Sequence, residues 1–194
     1  MTTVGATTLA TRPRHRHRLT VGQRAPQLTA MSLAGATVAI PDPEALVHLQ
    51  FRRFAGCPVC NLHLRGFAAR VDELRAAGIR EVAVFHSDAA TMRPYQGDLP
   101  FDVIADPGRA LYRQFGVEAG WRSILDPRAW GAMVRGMFGR ASPFRGEGGH
   151  LGLPADFLIA PDGVIVAARY GRHAADHWSL DELLALAAAH RSAP

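Results

Sequence analysis

The chain has no lysine. All 22 basic residues among its 194 are arginine. That excludes Schiff-base chemistry and a Walker-type phosphate loop, both of which need a lysine amine. No apolar run approaches the roughly 18 residues that a membrane-spanning helix needs, so no membrane partner is expected. The first thirty residues lack a continuous apolar core of the secretory type, so a cytoplasmic location is expected. There are two cysteines and no second C-x-x-C to complete a four-ligand zinc site. Acid is missing from residues 1–41, which hold Arg12, Arg14, Arg16, Arg18 and Arg24; from Asp42 onward 17 arginines face 17 acids. The net charge of +5 therefore belongs to a tail on a neutral body. A nucleic-acid face needs a basic patch on folded surface, and no nucleic-acid partner is expected. Residues 1–18 read as a disordered, solvated Arg/His-rich arm. Docking to an anionic partner, or metal binding through His15 and His17, are its alternative readings.

What is present is a chain long enough for a full core, with 48% apolar and 8% aromatic residues. Length alone makes one domain the starting expectation, here residues 19–194. Short strands are expected at Thr29–Leu33 and Thr37–Ile40, around Gly35. Leu46–Phe51 reads as a buried central strand. Leu62, Phe67, Val71 and Leu74 recur at helical spacing, from Pro58 at the first turn to a stop at Gly78. Ile79–Phe85 is a second core strand. Ser87 or Asp88 caps a short helix expected to break before Pro94. Phe101–Ala105 is a strand, and Asp106-Pro107 opens a helix carrying Leu111, Tyr112 and Phe115. Residues 117–153 read as an insertion: one or two helices with an apolar face from Trp121 to Phe138, then a Gly-rich loop. That face is a core cover, a wall of the active site, or the surface of a homodimer. Phe157–Ile159, Asp162-Gly163 and Val164–Val166 spell a hairpin. Ser179 and Glu182 form a capping box ahead of Leu180, Leu183, Leu184 and Leu186.

The chemistry sits in Arg53-Phe54-Ala55-Gly56-Cys57-Pro58-Val59-Cys60. A C-x-x-C between a strand and a helix places its first sulfur at the helix N-terminus. Unpaired N–H groups and the positive dipole end favour a thiolate there. On this ground Cys57 is expected to attack first, and Cys60, one turn deeper, to be more buried and to have the higher pKa. Three plainer readings stand beside the redox dithiol. They are a metal site with His63, a structural disulfide closing a very small loop, and two inert buried thiols. Arg52 and Arg53 could lower a thiol pKa, but strand alternation sends them to opposite faces, so at most one should act directly. His63 reads as a solvated or partly buried helix residue. His173 and His177 have metal-binding spacing if helical, though Gly171 and Asp176 suggest a loop.

These strings have an order. Val21-Gly22-Gln23-Arg24-Ala25-Pro26, Gly56-Cys57-Pro58-Val59-Cys60, Ala105-Asp106-Pro107, and Pro154-Ala155-Asp156-Phe157-Leu158-Ile159-Ala160-Pro161-Asp162-Gly163 follow one another from about Thr20 to His190. So arranged, the chain resembles the peroxiredoxin-like branch of the thioredoxin-like superfamily, grouped with alkyl hydroperoxide reductase and thiol-specific antioxidant proteins. The resemblance implies an α/β thioredoxin-like fold: a central mixed sheet flanked by helices, with the insertion before a C-terminal ββα unit. It implies a Cys57–Cys60 dithiol that reduces a disulfide or hydroperoxide and is reset by a thioredoxin-like or low-molecular-weight thiol. No organic cofactor or metal is implied. Pro154 matches the cis-proline that faces the dithiol, with Pro58, Gly56 and Arg53 as further support for the site. The family's peroxide-binding threonine falls on Cys57 if Cys60 is the peroxidatic position, and its arginine on Pro154. A non-catalytic redox sensor or adaptor using the same dithiol is the rival function.

Overall fold

The computed structural model describes residues 18–117 and 153–192. The expected arm, the Trp121–Phe138 face and the Gly-rich loop lie outside the described residues. Seven strands and five helices are described. A hairpin of β1 (Leu28–Met31) and β2 (Thr37–Ile40) precedes the sheet. β3 (Leu46–Phe51) runs into α1 (Pro58–Ala69), α2 (Val71–Ala76) and β4 (Ile79–Phe85). Then follow α3 (Ala89–Gln96), β5 (Asp102–Ala105) and α4 (Ala110–Gln114). After the undescribed stretch come β6 (Ala155–Ile159), β7 (Ile165–Tyr170) and α5 (Leu180–Arg191).

The sheet order is β5-β4-β3-β6-β7. β3, β4 and β5 are mutually parallel, and β6 and β7 are antiparallel to their neighbours. This is the expected mixed sheet. Every residue of β3 and β6 is buried, as suits strands covered on both faces. On one face Val47, Leu49 and Phe51 join Val82, Val84, Phe115 and Phe157. On the other, Leu46 and Leu158 meet Phe67 and Leu74, and Trp178, Leu180 and Leu183 cover them.

Local signals explain most boundaries. Asp106 ends β5's loop by accepting from the N–H groups of Ala110 and Leu111, at 2.9 and 2.8 Å, so its carboxylate opens α4. Gly163 turns the β6–β7 hairpin with φ +87°, a conformation glycine adopts without a Cβ penalty. The Ser179–Glu182 capping box forms in both directions.

Four expectations need correction. The first strand ends at Met31; Ser32 still bonds Ala36 across the hairpin turn while bridging to Ile104, and Leu33 N–H donates to Val103 O of β5 at 2.8 Å. The helix after Pro58 is two helices, because the backbone leaves helical geometry at Arg70 (φ −122°, ψ 27°). Within it Leu62 is 47% exposed, and Leu64 faces the core instead. The helix before Pro94 does not break there but continues to Gln96. Tertiary contacts override the proline: Met92 is buried, and Gln96 donates to Ala55 O at 2.8 Å and to Asn61 Oδ1 at 2.7 Å.

Candidate active site

β3 delivers the chain to the C-terminal edge of the sheet, and the loop 52–57 is held there from three sides. The Tyr112 hydroxyl on α4 bonds the carbonyls of Arg52 and Val84. Ser87, just past β4, accepts from Ala55 N–H at 3.0 Å. Asn61 on α1 donates to Ala55 O at 2.8 Å and to Cys57 O at 3.0 Å. Gly56 is buried in the turn that delivers Cys57. Cys57 is then the N-cap of α1, and Pro58 occupies the first turn, where a missing N–H costs nothing.

Both thiols are free. Cys60 N–H donates to Cys57 Sγ at 3.4 Å, and the two sulfurs are 2.8 Å apart, sharing a hydrogen bond. Closing a disulfide, about 2.05 Å long, needs less than 1 Å of relative movement. Arg53 Nη1 lies 3.9 Å from Cys57 Sγ. The two sulfurs have unlike environments. Burial pushes the Cys60 thiol up, but its hydrogen bond with Cys57, the charge and backbone N–H of Arg53, and the charge of Arg52 together pull it down to about 7. Burial pushes Cys57 well up, and the neighbouring Cys60 adds to that. The surroundings thus favour the thiolate at Cys60 over Cys57.

This reverses the expected order of pKa. Cys60 is no more buried than Cys57, at 2% against 0% exposed, and it has the lower pKa. The helix N-terminus does serve Cys57, through one N–H. Cys60 instead receives the backbone and charge of the loop folded back over it, which residue spacing does not reveal. The arginines do not divide between opposite faces either. β3 ends at Phe51, so strand alternation no longer governs Arg52 and Arg53, and both lower the Cys60 thiol.

Pro154 immediately precedes β6, beside the end of β3. Among the described residues the cis bond is Ile40–Pro41; the Leu153–Pro154 bond is trans, contrary to expectation. The carbonyl of Pro154 is taken by Gly171 N–H at 2.8 Å, which ties the segment 171–178 to the start of β6. In that segment Ala175 packs on the cluster that holds both cysteines. A Cβ on Gly171 would lie 2.6 Å from Asp176 O and 2.9 Å from Pro154 O. Gly171→Ala must therefore push the segment off β6. It is expected to cost about 1–3 kcal/mol, as overpacking does, and to speed alkylation of the dithiol. Unchanged stability and unchanged alkylation would show that the segment does not cover it.

Beneath α1 lies a buried polar network that the sequence reading missed. His48 on β3 faces Glu81 on β4 (Nδ1–Oε2 2.7 Å) and Asp156 on β6 (Nε2–Oδ1 3.3 Å). Arg52 Nη2 bonds Asp156 Oδ1 at 2.6 Å and His63 Nε2 at 2.9 Å, and Gln50 joins Glu81 to Arg52. The side chains of His48, Arg52 and Asp156 are wholly buried. Burial alone would push His48 down, but Glu81 and Asp156 raise it to about 9. Burial pushes Asp156 up, and the charge of Arg52 with the His48 bond more than reverses it, holding the carboxyl well below its usual range. Two cations thus meet two anions. The signal was in the sequence: His48 and Gln50 interrupt an otherwise apolar strand.

His63 is a half-buried helix residue, one of the two expected readings. Its ring lies 3.8 Å from that of His177 and 4.6 Å from that of Phe67. Burial, then the charge of Arg52, push His63 well down, and the same causes bring His177 down to about 4. His173 and His177 lie in a loop, and no group of three metal-ligating side chains occurs among the described residues. A surface groove lined by Val71, Leu74, Arg75, Ile79, Arg80 and Phe101 lies at the other end of the sheet, away from the sulfurs. No described helix is long and apolar enough to cross a membrane.

Known proteins agree with this architecture. Peroxidoxin BcpB from Mycobacterium tuberculosis superposes with a TM-score of 0.67 at 16% identity, over 91% of this chain and 100% of that one. A peroxiredoxin 6 mutant of Arenicola marina gives 0.67 at 17%, over 89% and 74%. A putative thiol:disulfide interchange protein, DsbE from Chlorobium tepidum, gives 0.58 at 22%, over 87% and 99%. At these identities the likeness shows the fold, which is thioredoxin-like. No curated protein matches the chain. Residues 66–173 match a family described as AhpC/TSA antioxidant enzyme, a match that begins after both cysteines. With more than half its length so matched, the chain belongs to the AhpC/TSA antioxidant enzyme family, within the peroxiredoxin-like group of the thioredoxin-like superfamily.

Proposed function

We propose that the protein is a thiol-dependent peroxidase in which Cys60 attacks and Cys57 resolves. The observation that carries this reading is the pair of free sulfurs 2.8 Å apart, with the lowered thiol at Cys60. The Cys60 thiolate attacks one oxygen of a hydroperoxide. The O–O bond breaks, the leaving alkoxide takes a proton and departs as alcohol, and Cys60 becomes a sulfenic acid. The Cys57 thiol then attacks the sulfenic sulfur. Water leaves and the Cys57–Cys60 disulfide forms. Two thiols of an external reductant, thioredoxin-like or of low molecular weight, are oxidised as they restore the dithiol.

Burial favours a small oxidant. With the sulfurs at 0% and 2% exposure, a hydroperoxide needs a smaller opening than a protein disulfide, which must bring its own backbone to the sulfur. Arg53 holds positive charge beside the pair, while Gly56 and Pro58 set the turn and the helix start. Pro154 acts by anchoring the segment 171–178. No metal or organic group is needed for the electron count. The reading places the protein in the cytoplasm, where such a pair is catalytic more often than structural, as one domain behind an Arg/His-rich arm.

The rival is a redox sensor that reacts once, favoured by the same burial. Hydroperoxide consumption driven by excess dithiothreitol separates the two. The peroxidase consumes many equivalents per chain, and mass spectrometry of the resting oxidised protein shows the loss of two hydrogens. Consumption that stops after one equivalent would make it a sensor, and both thiols free under mild oxidant would end either reading.

A further inference from the structure

Arg52 is an unusual residue to find wholly enclosed. Its side chain is 0% exposed, and it leaves the sheet exactly where β3 ends and the dithiol loop begins. Three elements hold its guanidinium. Asp156 on β6 and Gln50 on β3 grip it from the sheet, and His63 on α1 meets it from above at 2.9 Å. Its backbone is pinned as well: the N–H donates to Val84 O at 2.8 Å, and the carbonyl receives the Tyr112 hydroxyl. A buried arginine stays charged and cannot swing to water. His63 stands three residues after Cys60, so the guanidinium lies under the first turns of the dithiol helix.

We propose that Arg52 is a positioning residue for the dithiol: Asp156 and Gln50 fix its guanidinium beneath α1, where its permanent charge favours the thiolate form of the pair. This rests on the redox reading above and names a residue outside the C-x-x-C motif itself that sets its readiness. The direction agrees with the environment of Cys60, to which Arg52 contributes alongside Arg53. The other titratable groups that bear on the sulfurs come from two elements: Arg53 on the loop and Tyr112 on α4. Tyr112 is itself pushed well up by burial and then by Cys60, so it remains a neutral phenol. His63 and His177 are held neutral by burial and by Arg52 itself. Beneath the helix the guanidinium is the cation that meets His63 of α1, with its partner Asp156 and the His48–Glu81 pair behind it. Asp156 has a double role: it holds Arg52 in place, and His48 remains beside it, at 3.3 Å, if Arg52 is removed.

The test is the pH profile of dithiol alkylation by iodoacetamide, with thiolate absorbance at 240 nm as a second measure. Four reduced proteins are compared: wild type, Arg52→Met, Arg52→Lys and the neutral pair Arg52→Met/Asp156→Asn. Wild type should titrate near about 7 and decides the redox reading by itself. If neither sulfur titrates below about 8.5, the free-thiol value, that reading fails whatever the variants do. Arg52→Met should raise the midpoint by about 0.5–1 unit, the lower range for loss of a nearby opposite charge. Alkylation at pH 7 then slows about two- to fivefold. Arg52→Lys should keep most of the wild-type midpoint. The neutral pair leaves no carboxylate newly orphaned, so it reports if Arg52→Met fails to fold, and it should shift in the same direction. A midpoint within 0.2 units of wild type in a folded neutral variant overturns the proposal. So does loss of the fold in both neutral variants while Arg52→Lys titrates unlike wild type, which would make Arg52 purely structural.

Discussion

Cys60→Ser is expected to abolish peroxide turnover, by at least about a thousandfold, as loss of a nucleophile does. It should also leave no sulfenic acid anywhere in the chain. In the reduced pair Cys57 is pushed up by burial and by its neighbour, while Cys60 is brought down to about 7. Cys57 alone, buried and with Arg53 at 3.9 Å, is a protonated and slow thiol. Cys57→Ser behaves differently. The serine hydroxyl can donate to Cys60 in place of the thiol, so Cys60 remains reactive but has no resolving partner. Peroxide should then give one rapid equivalent of oxidation, a dimedone adduct on Cys60, and turnover limited by external thiol. The opposite pattern, a dimedone adduct on Cys57 in Cys60→Ser and none on Cys60 in Cys57→Ser, would restore the order expected from the helix N-terminus. Turnover above a tenth of wild type in Cys60→Ser would remove Cys60 from the chemistry.

The reversal shows which part of the site was legible. Elements with local signals came through at their true boundaries. β3 at Leu46–Phe51 and β4 at Ile79–Phe85 are apolar runs with turn residues at their ends, and the Asp162-Gly163 turn and the Ser179–Glu182 box need only neighbours in sequence. The dithiol and its place at a helix start were equally local. Its polarity was not, because the groups that favour Cys60 arrive by tertiary folding: the loop turns Arg53 back on it, and Arg52 is fixed through Asp156, 104 residues away. The same holds for α3, which passes through Pro94 because Gln96 is needed 41 residues away at Ala55. His48 and Gln50 were visible as polar residues in a core strand. Their partners Glu81 and Asp156 become evident only once the register sets His48 opposite Glu81 and Gln50 opposite Asp156.

That buried network should give the fold a stability maximum near pH 6.5. His48 is raised from 6.5 to about 9, so it binds its proton more tightly folded than unfolded. Its contribution is complete below 6.5 and is lost as pH rises through 9. His177 is lowered from 6.5 to about 4, and His63 is lowered in the same sense. Both are accommodated only as neutral rings beside Arg52. Their contribution is complete above 6.5 and is lost as pH falls toward 4, where the unfolded chain binds protons that the folded one refuses. Asp156, held well below its ordinary value, adds a further loss only at still lower pH. A histidine shift of that size amounts to about 3 kcal/mol, and each kilocalorie moves Tm by about 2–4 °C in a chain of this length. The thiols titrate in the alkaline window too, with opposing signs, so the measurement belongs in the Cys57→Ser/Cys60→Ser protein. There, Tm should fall by about 5–10 °C from pH 6.5 to pH 4.5, and by a similar amount from pH 6.5 to pH 9. The alkaline limb should flatten in His48→Gln, which cannot carry the proton, and the acid limb should remain. A Tm that holds level or climbs from pH 6.5 to pH 9 would mean that His48 is neutral between Glu81 and Asp156, leaving the core with one cation against two anions.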